Sequence, residues 1–187
     1  MARAYAVLTA VGADRVGIVD DLSGIVAEGK CNIEESKMAV LGGDFAVIML
    51  VSGQPEALDA VCREVPGAGA KLGLHVECRT TRAPRTGEPG QPYLLEAVSL
   101  DTPGIVHSVT AVLRGHGINI EDLETDTAAA PWTGAPMFRL KAHVVIGPGV
   151  SLARLREELG HLQQAHDLDI SLKPVFAAPY SLAPRPV

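Results

Sequence analysis

Positive charge is scarce in this chain. Its 187 residues carry 16 Lys and Arg against 22 Asp and Glu, a formal net charge of −6. Neutralising phosphates dominates nucleic-acid affinity, so the shortage argues against direct nucleic-acid binding. The clearest basic concentration, Arg79, Arg82 and Arg85, surrounds a Pro- and Gly-rich stretch and forms no compact stripe. Long hydrophobic runs are also missing. No stretch approaches a transmembrane helix, so no membrane partner is expected. The chain opens on strand-like Tyr5-Ala6-Val7-Leu8 without a signal-peptide layout, which implies a cytoplasmic location.

Cysteine is sparse, and metal spacings are absent. Cys31, Cys62 and Cys78 are odd in number and form no CxxC or zinc spacing. They are expected to be reduced, mostly buried thiols of a cytosolic protein. The histidines His75, His107, His116, His143, His161 and His166 are scattered. His161 and His166 do not share a helix face, and His143 sits in a strand run that reads as packed. No phosphate-cradling glycine loop follows a strand. Cys31 has no adjacent base to activate it. The pairs Asp20-Asp21 and Glu34-Glu35 point apart on any regular element and read as solvated charges. We expect no metal, no cofactor and no catalysis.

What the chain does have is a repeat. Asp14-Arg15-Val16-Gly17-Ile18-Val19 returns 87 residues on (14 to 101) as Asp101-Thr102-Pro103-Gly104-Ile105-Val106. Asn32-Ile33-Glu34-Glu35 returns at the same offset (32 to 119) as Asn119-Ile120-Glu121-Asp122. The helical stripe Ile18, Leu22, Ile25, Val26 maps likewise onto Ile105, Val109, Val112, Leu113. Shared motif, spacing and stripe argue for duplication of a small module. The boundaries that follow are a first module at 1–81, a linker at 82–92, a second module at 93–176 and an aperiodic tail at 177–187.

Each module predicts the same elements. In the first, Tyr5 to Val11 reads as a buried strand and Val16 to Glu28 as a helix with one apolar face. Gly29 stops that helix. Ile33 to Val40 is a strand, Leu41-Gly42-Gly43-Asp44 a hairpin turn, and Phe45 to Val51 a strand. Pro55 opens a second helix, with Leu58, Val61 and Val65 on its apolar face and Gly67-Ala68-Gly69 breaking it. Leu72, Leu74, Val76 and Cys78 alternate as a last strand. The second module repeats the plan. Strands start at Tyr93 and Ile118 and run over Phe138 to Ile146, and helices span Pro103 to Gly115 and Ser151 to Leu162. Leu168, Ile170 and Leu172 close it. Phe138 matches Phe45 at offset 93, so the Ala128 to Pro136 loop holds six extra residues beyond the offset of 87. The order β-α-β-β-α-β is the ferredoxin-like split βαβ arrangement. The fold class is α+β, two tandem antiparallel sheets each with both helices on one face.

The informative residues lie at two chain reversals. At the first, Thr102 and Pro103 read as an N-cap and first helical position, and Asp14 as a cap in the first module. Gly17 and Gly104 clear the first helical turn. A cleared helix N-terminus offers unpaired N–H groups and a positive dipole end, which suits a carboxylate. At the second, Asn32 and Asn119 can both donate and accept, and so can read a carboxylate and an ammonium together. A structural alternative stands beside this reading: cap, tight turn and left-handed Asn corner, all duplicated with the fold.

The motifs Asp14-Arg15-Val16-Gly17-Ile18-Val19 with Lys30-Cys31-Asn32-Ile33, and their second copies with Gly117-Ile118-Asn119-Ile120, resemble those of the ACT domain family of small ligand-sensing modules. Gly12-Ala13-Asp14-Arg15, Cys31 to Ser36, Ala39 to Gly42 and Phe45 to Gly53 further resemble the glycine cleavage system transcriptional repressor family. That resemblance implies a non-enzymatic regulator that senses glycine or a similar small amino acid. It would act through a protein partner, such as a DNA-binding activator. Ligand would bind where the loop of one module meets a strand of another, at Asp14, Arg15, Val16, Gly17, Ile18, Asn32 and Ile33. The matching second set is Thr102, Pro103, Gly104, Ile105, Asn119 and Ile120. Two departures stand out: Val16 replaces the family's usual Pro, and Thr102 replaces Arg, so the second site would differ in specificity or be structural only. A detached regulatory subunit of a metabolic enzyme and a ligand-free adaptor are the alternatives. Free sheet edges or helix faces would serve a homodimer.

Overall fold

The computed structural model describes residues 3–83, 90–100, 102–130 and 134–175. Asp101, most of the linker, the tip of the long hairpin and the tail therefore lie outside the described residues. The chain forms two compact units, Met1–Pro84 and Arg85–Val187.

Unit 1 runs β1 (Ala4–Ala13), α1 (Ile18–Glu28), β2 (Asn32–Leu41), β3 (Asp44–Gly53), α2 (Pro55–Lys71) and β4 (Leu74–Thr81). Unit 2 runs β5 (Gln91–Leu100), α3 (Ile105–Gly115), β6 (Asn119–Ala129), β7 (Pro136–Ile146), α4 (Leu152–His166) and β8 (Asp169–Pro174). Each is a four-stranded antiparallel sheet, in the orders β2-β3-β1-β4 and β6-β7-β5-β8. The tandem ferredoxin-like architecture expected from the sequence is therefore present.

The apolar periodicities explain the layers. Ala6, Leu8 and Ala10 of β1 meet Ile18, Leu22 and Val26 of α1 and Leu58 and Val65 of α2, all buried. Leu95 and Ala97 of β5 meet Ile105, Val109 and Leu113 of α3 and Leu155 of α4 in the same way. One face of each sheet is thus covered by the unit's two helices, and among the described residues no helix of that unit covers the other, bare face. The six extra residues lengthen the β6–β7 ladder by one pair, Ala129 with Pro136, and enlarge its loop by four. The corresponding β2–β3 hairpin closes at Leu41 and Asp44.

Several boundaries differ from the sequence reading. Both first helices begin later than expected, at Ile18 and Ile105, behind a left-handed glycine. Helix α2 does not break at Gly67-Ala68-Gly69; it continues through Pro66 to Lys71. Proline and glycine each disfavour a helix interior, but burial of Val65 and Gly69 against the sheet outweighs that cost. At Gly69 a Cβ would collide with Val76 Cγ2, so only glycine lets α2 approach β4 so closely. Helix α4 also extends past Leu162 to His166, capped at its start by Ser151. The cysteines differ most: Cys62 of α2 and Cys78 of β4 form a disulfide with Cα atoms 4.9 Å apart, and only Cys31 is free.

Candidate functional site

The strand-to-helix loop of unit 1 is tied to the hairpin turn by a 2.9 Å hydrogen bond from Asp14 N–H to the Gly43 carbonyl. The chain then turns through Gly17 at φ 92°, ψ −2°. Gly104 repeats this at φ 97°, ψ −5°. L-residues resist that backbone region because Cβ crowds the carbonyl. Neither helix has a side-chain cap, so Asp14 and Thr102 are not the caps that the sequence suggested. Pro103 precedes the helix instead of opening it. The first intrahelical bonds run from Asp21 N–H to Gly17 and from Ser108 N–H to Gly104, both at 2.9 Å. The amides of Ile18, Val19 and Asp20, and of Ile105, Val106 and His107, precede those bonds and point out of the helix ends.

The two N-termini differ electrostatically. Helix α1 carries Asp20 and Asp21 in its first turn; α3 carries no acid there. Arg15, the residue that set the first motif apart, bonds Asp21 Oδ2 at 2.7 Å. Its charge is therefore engaged locally, and the two acids already answer the α1 dipole. Helix α3 has no first-turn acid to offset its positive dipole end. Val16 is almost fully exposed and Ile18 buried, so the side chains of this loop divide between solvent and core.

The asparagines start β2 and β6. They are not the left-handed corner residues: Lys30 (φ 55°) and Gly117 (φ 68°) take that role. A bulge follows each, between Ile33 and Glu35 and between Ile120 and Asp122. In unit 1 the bulged Glu34 gathers a polar cluster. Its Oε1 accepts from Ser52 Oγ at 2.6 Å and Asn32 Nδ2 at 3.1 Å, and faces an Arg3 guanidinium nitrogen at 3.3 Å. Ser52 is fully buried. Glu34 is thus a hub and not the solvated charge inferred from sequence. In unit 2 the positions of Ser52 and Arg3 are Val145 and Gly90, and among the described residues Asn119 makes no side-chain hydrogen bond. Asn119 and Ile120 instead line an open groove of about 470 Å³ along the exposed side of α3, with His107, Thr110 and Arg114.

The loop and the asparagine of one unit do not meet. Asn32 lies level with Ser52 and Tyr5, at the start of β1, whereas Asp14 follows the far end of β1. Helix α1, with 11 residues, separates them by about 16 Å at a rise of 1.5 Å per residue. No single amino acid bridges that span, so pairing the Gly17 amides with Asn32 of the same module is ruled out. The length of α1 was the signal for this in the sequence.

Burial pushes the Cys31 thiol up, away from thiolate, which makes it a poor nucleophile. His143 is half-buried in β7, and among the described residues its Nδ1 has no hydrogen-bond partner. Groups of three or more metal-ligating side chains are absent among the described residues. No helix of the described chain is long and apolar enough to cross a membrane.

Comparison with known proteins agrees with the fold. A family model for the ACT domain matches residues 4–79. The glycine cleavage system transcriptional repressor of Escherichia coli (strain K12) is 39% identical over 127 residues, covering 67% of this chain and 66% of the repressor. The crystal structure of an unknown protein from Galdieria sulphuraria superimposes with a TM-score of 0.81 at 33% identity, over 93% of this chain and 99% of that one. A putative glycine cleavage system transcriptional repressor superimposes with a TM-score of 0.70 at 26% identity, over 94% and 99%.

Proposed function

We propose that this chain, which belongs to the ACT-domain proteins and resembles the glycine cleavage system transcriptional repressor, is a non-enzymatic amino-acid sensor. It controls transcription in the cytoplasm through a protein partner, such as a DNA-binding activator. The location follows from that role alone, since a Cys62–Cys78 pair removes the cysteine argument for it. The observation that carries the proposal is the duplicated left-handed glycine, which opens each first helix without a side-chain cap. The amides behind it suit the carboxylate of glycine or a similar small amino acid. Because loop and asparagine lie at opposite ends of a unit, the ammonium is read by Asn32 or Asn119 of a different module. The α3 end, free of first-turn acids, is the stronger carboxylate site.

Binding measures this directly. Calorimetric titration of the full chain with glycine and serine should release heat. Asn32→Leu or Asn119→Leu, at whichever asparagine reads the ammonium, should weaken binding about tenfold or more, because the ammonium then loses its acceptor. No heat with any amino acid, together with a melting temperature unchanged at high ligand concentration, would overturn the sensor reading in favour of a ligand-free adaptor.

A further inference from the structure

The bare faces of the two sheets differ in a way that the fold does not require. In unit 1 register places Val7, Thr9 and Val11 of β1 beside Leu50, Ile48 and Ala46 of β3 on the bare face. Ile48 is 50% and Val11 49% exposed. Apart from Asp44 at the hairpin end of β3, the charge on this face lies on the two edge strands. Lys37 of β2 lies level with Glu77 of β4, through Ile48 and Thr9, and Glu35 lies level with Arg79, through Leu50 and Val7. His75 flanks Glu77, with Nε2 3.3 Å from Oε1.

In unit 2 the same central positions are charged. Lys141 stands where unit 1 has Ile48, Arg139 where it has Ala46, and Glu96 where it has Thr9. Arg139 is held by both oxygens of Asp126, at 2.6 and 3.1 Å, and Lys173 lies 3.5 Å from Glu96. The architecture therefore accepts a polar centre here. An apolar centre with a charged rim, as in unit 1, is the composition of a protein interface.

We propose that the bare sheet face of unit 1 packs against the same face of a second copy of this chain. The edge charges identify the occupant. They alternate as a checkerboard, Lys37 and Glu35 on one edge and Glu77 and Arg79 on the other. An in-plane two-fold axis along the strands sets Lys37 over the partner's Glu77 and Glu35 over the partner's Arg79. One across the strands sets Lys37 over the partner's Glu35 and Glu77 over the partner's Arg79. Either way each of these four edge charges meets its opposite, and the surface is self-complementary, as a two-fold interface must be. Four strands of eight to ten residues give a footprint on the order of 600 Å², comparable with the roughly 800 Å² per partner of a standard interface. Paired sheets of this kind stack with nearly aligned strands.

The proposal is independent of amino-acid sensing, since a chain that bound no amino acid would still dimerise this way. Sedimentation velocity on the full chain tests it. The wild type should be a dimer. Ile48→Lys copies the residue that unit 2 already accommodates and so should leave circular dichroism unchanged, while weakening the dimer at least about tenfold. Lys141→Glu, on the bare face of unit 2, should leave the dimer intact. Lys37→Glu should weaken it. Restoration by Lys37→Glu/Glu77→Lys assigns the axis along the strands, and restoration by Lys37→Glu/Glu35→Lys the axis across them. A monomeric wild type, a dimer indifferent to Ile48→Lys, or failure of both double variants would overturn the proposal.

Discussion

Gly104 offers the sharpest test of how the candidate loop is built. Its φ is 97°, and a Cβ placed on it would touch nothing within 4 Å. The penalty for Gly104→Ala is therefore conformational alone, about 1–2 kcal/mol for an L-residue forced left-handed. At a urea dependence of about 1–3 kcal/mol/M, the midpoint of unit 2 should fall by on the order of 1 M. Gly104→Asn should cost less, since Asn visits that region more readily. Gly24 is the control. It sits within α1, carries no positive φ and likewise has open space around it, so Gly24→Ala should stabilise unit 1 by about 0.5–1 kcal/mol. Urea unfolding followed by hydrogen exchange, peptide by peptide, reports the two units separately. The same chemical change should thus have opposite signs at two open sites. If Gly104→Ala were neutral or stabilising, the left-handed turn would not be what holds the loop.

Further changes probe other parts of the molecule. Gly69→Ala would drive Cβ against Val76 of β4 and should destabilise unit 1 by about 1–3 kcal/mol, read in the same urea titration. Ser52→Ala removes the 2.6 Å bond to Glu34 and should cost about 1.5–3 kcal/mol; the converse change in unit 2, Val145→Thr, should gain nothing there, because no Arg3 counterpart exists at Gly90. Reducing the Cys62–Cys78 bridge, which closes a separation of 16 residues, should lower unit 1 stability by up to about 3 kcal/mol, and intact-mass analysis showing three alkylatable thiols without reductant would refute the pairing. His107→Asp gives α3 the acid that α1 has at Asp20; at about 0.3–1 kcal/mol near a helix N-terminus, it should weaken amino-acid binding by roughly two- to fivefold in calorimetry.

The element order was legible because burial imposes periods that the sequence must show: Ile18, Leu22 and Val26 in α1, alternation at Leu74 and Val76 in β4. Cap positions were not. Pro103 and Thr102 carry the chemistry of a helix start, yet the turn is made one residue later by a backbone angle that glycine permits without advertising. Gly67 and Gly69 read as breakers because propensity is local, whereas Gly69 answers to Val76 across the α2–β4 contact. The disulfide had no spacing signal either; Cys62 and Cys78 meet only because α2 packs beside β4. Glu34 looked like half of a solvated pair, since nothing in the chain announces the bulge that turns it toward Ser52.

The candidate site was legible in its parts, and the way the fold separates them bears on regulation. The sequence placed the amide-bearing loop and the asparagine correctly, one on each side of a helix. That helix is what prevents them from acting together within a unit. If a small amino acid uses both, as proposed, its site exists only when two modules are brought end to opposite end. Ligand then has unequal affinity for the arrangement that joins them and for any that does not, which is the requirement for shifting a conformational equilibrium. In the proposed sensor that division of the polar groups between modules would tie occupancy to module arrangement, and Asp20 and Asp21 at α1 would weight the coupling toward the α3 end.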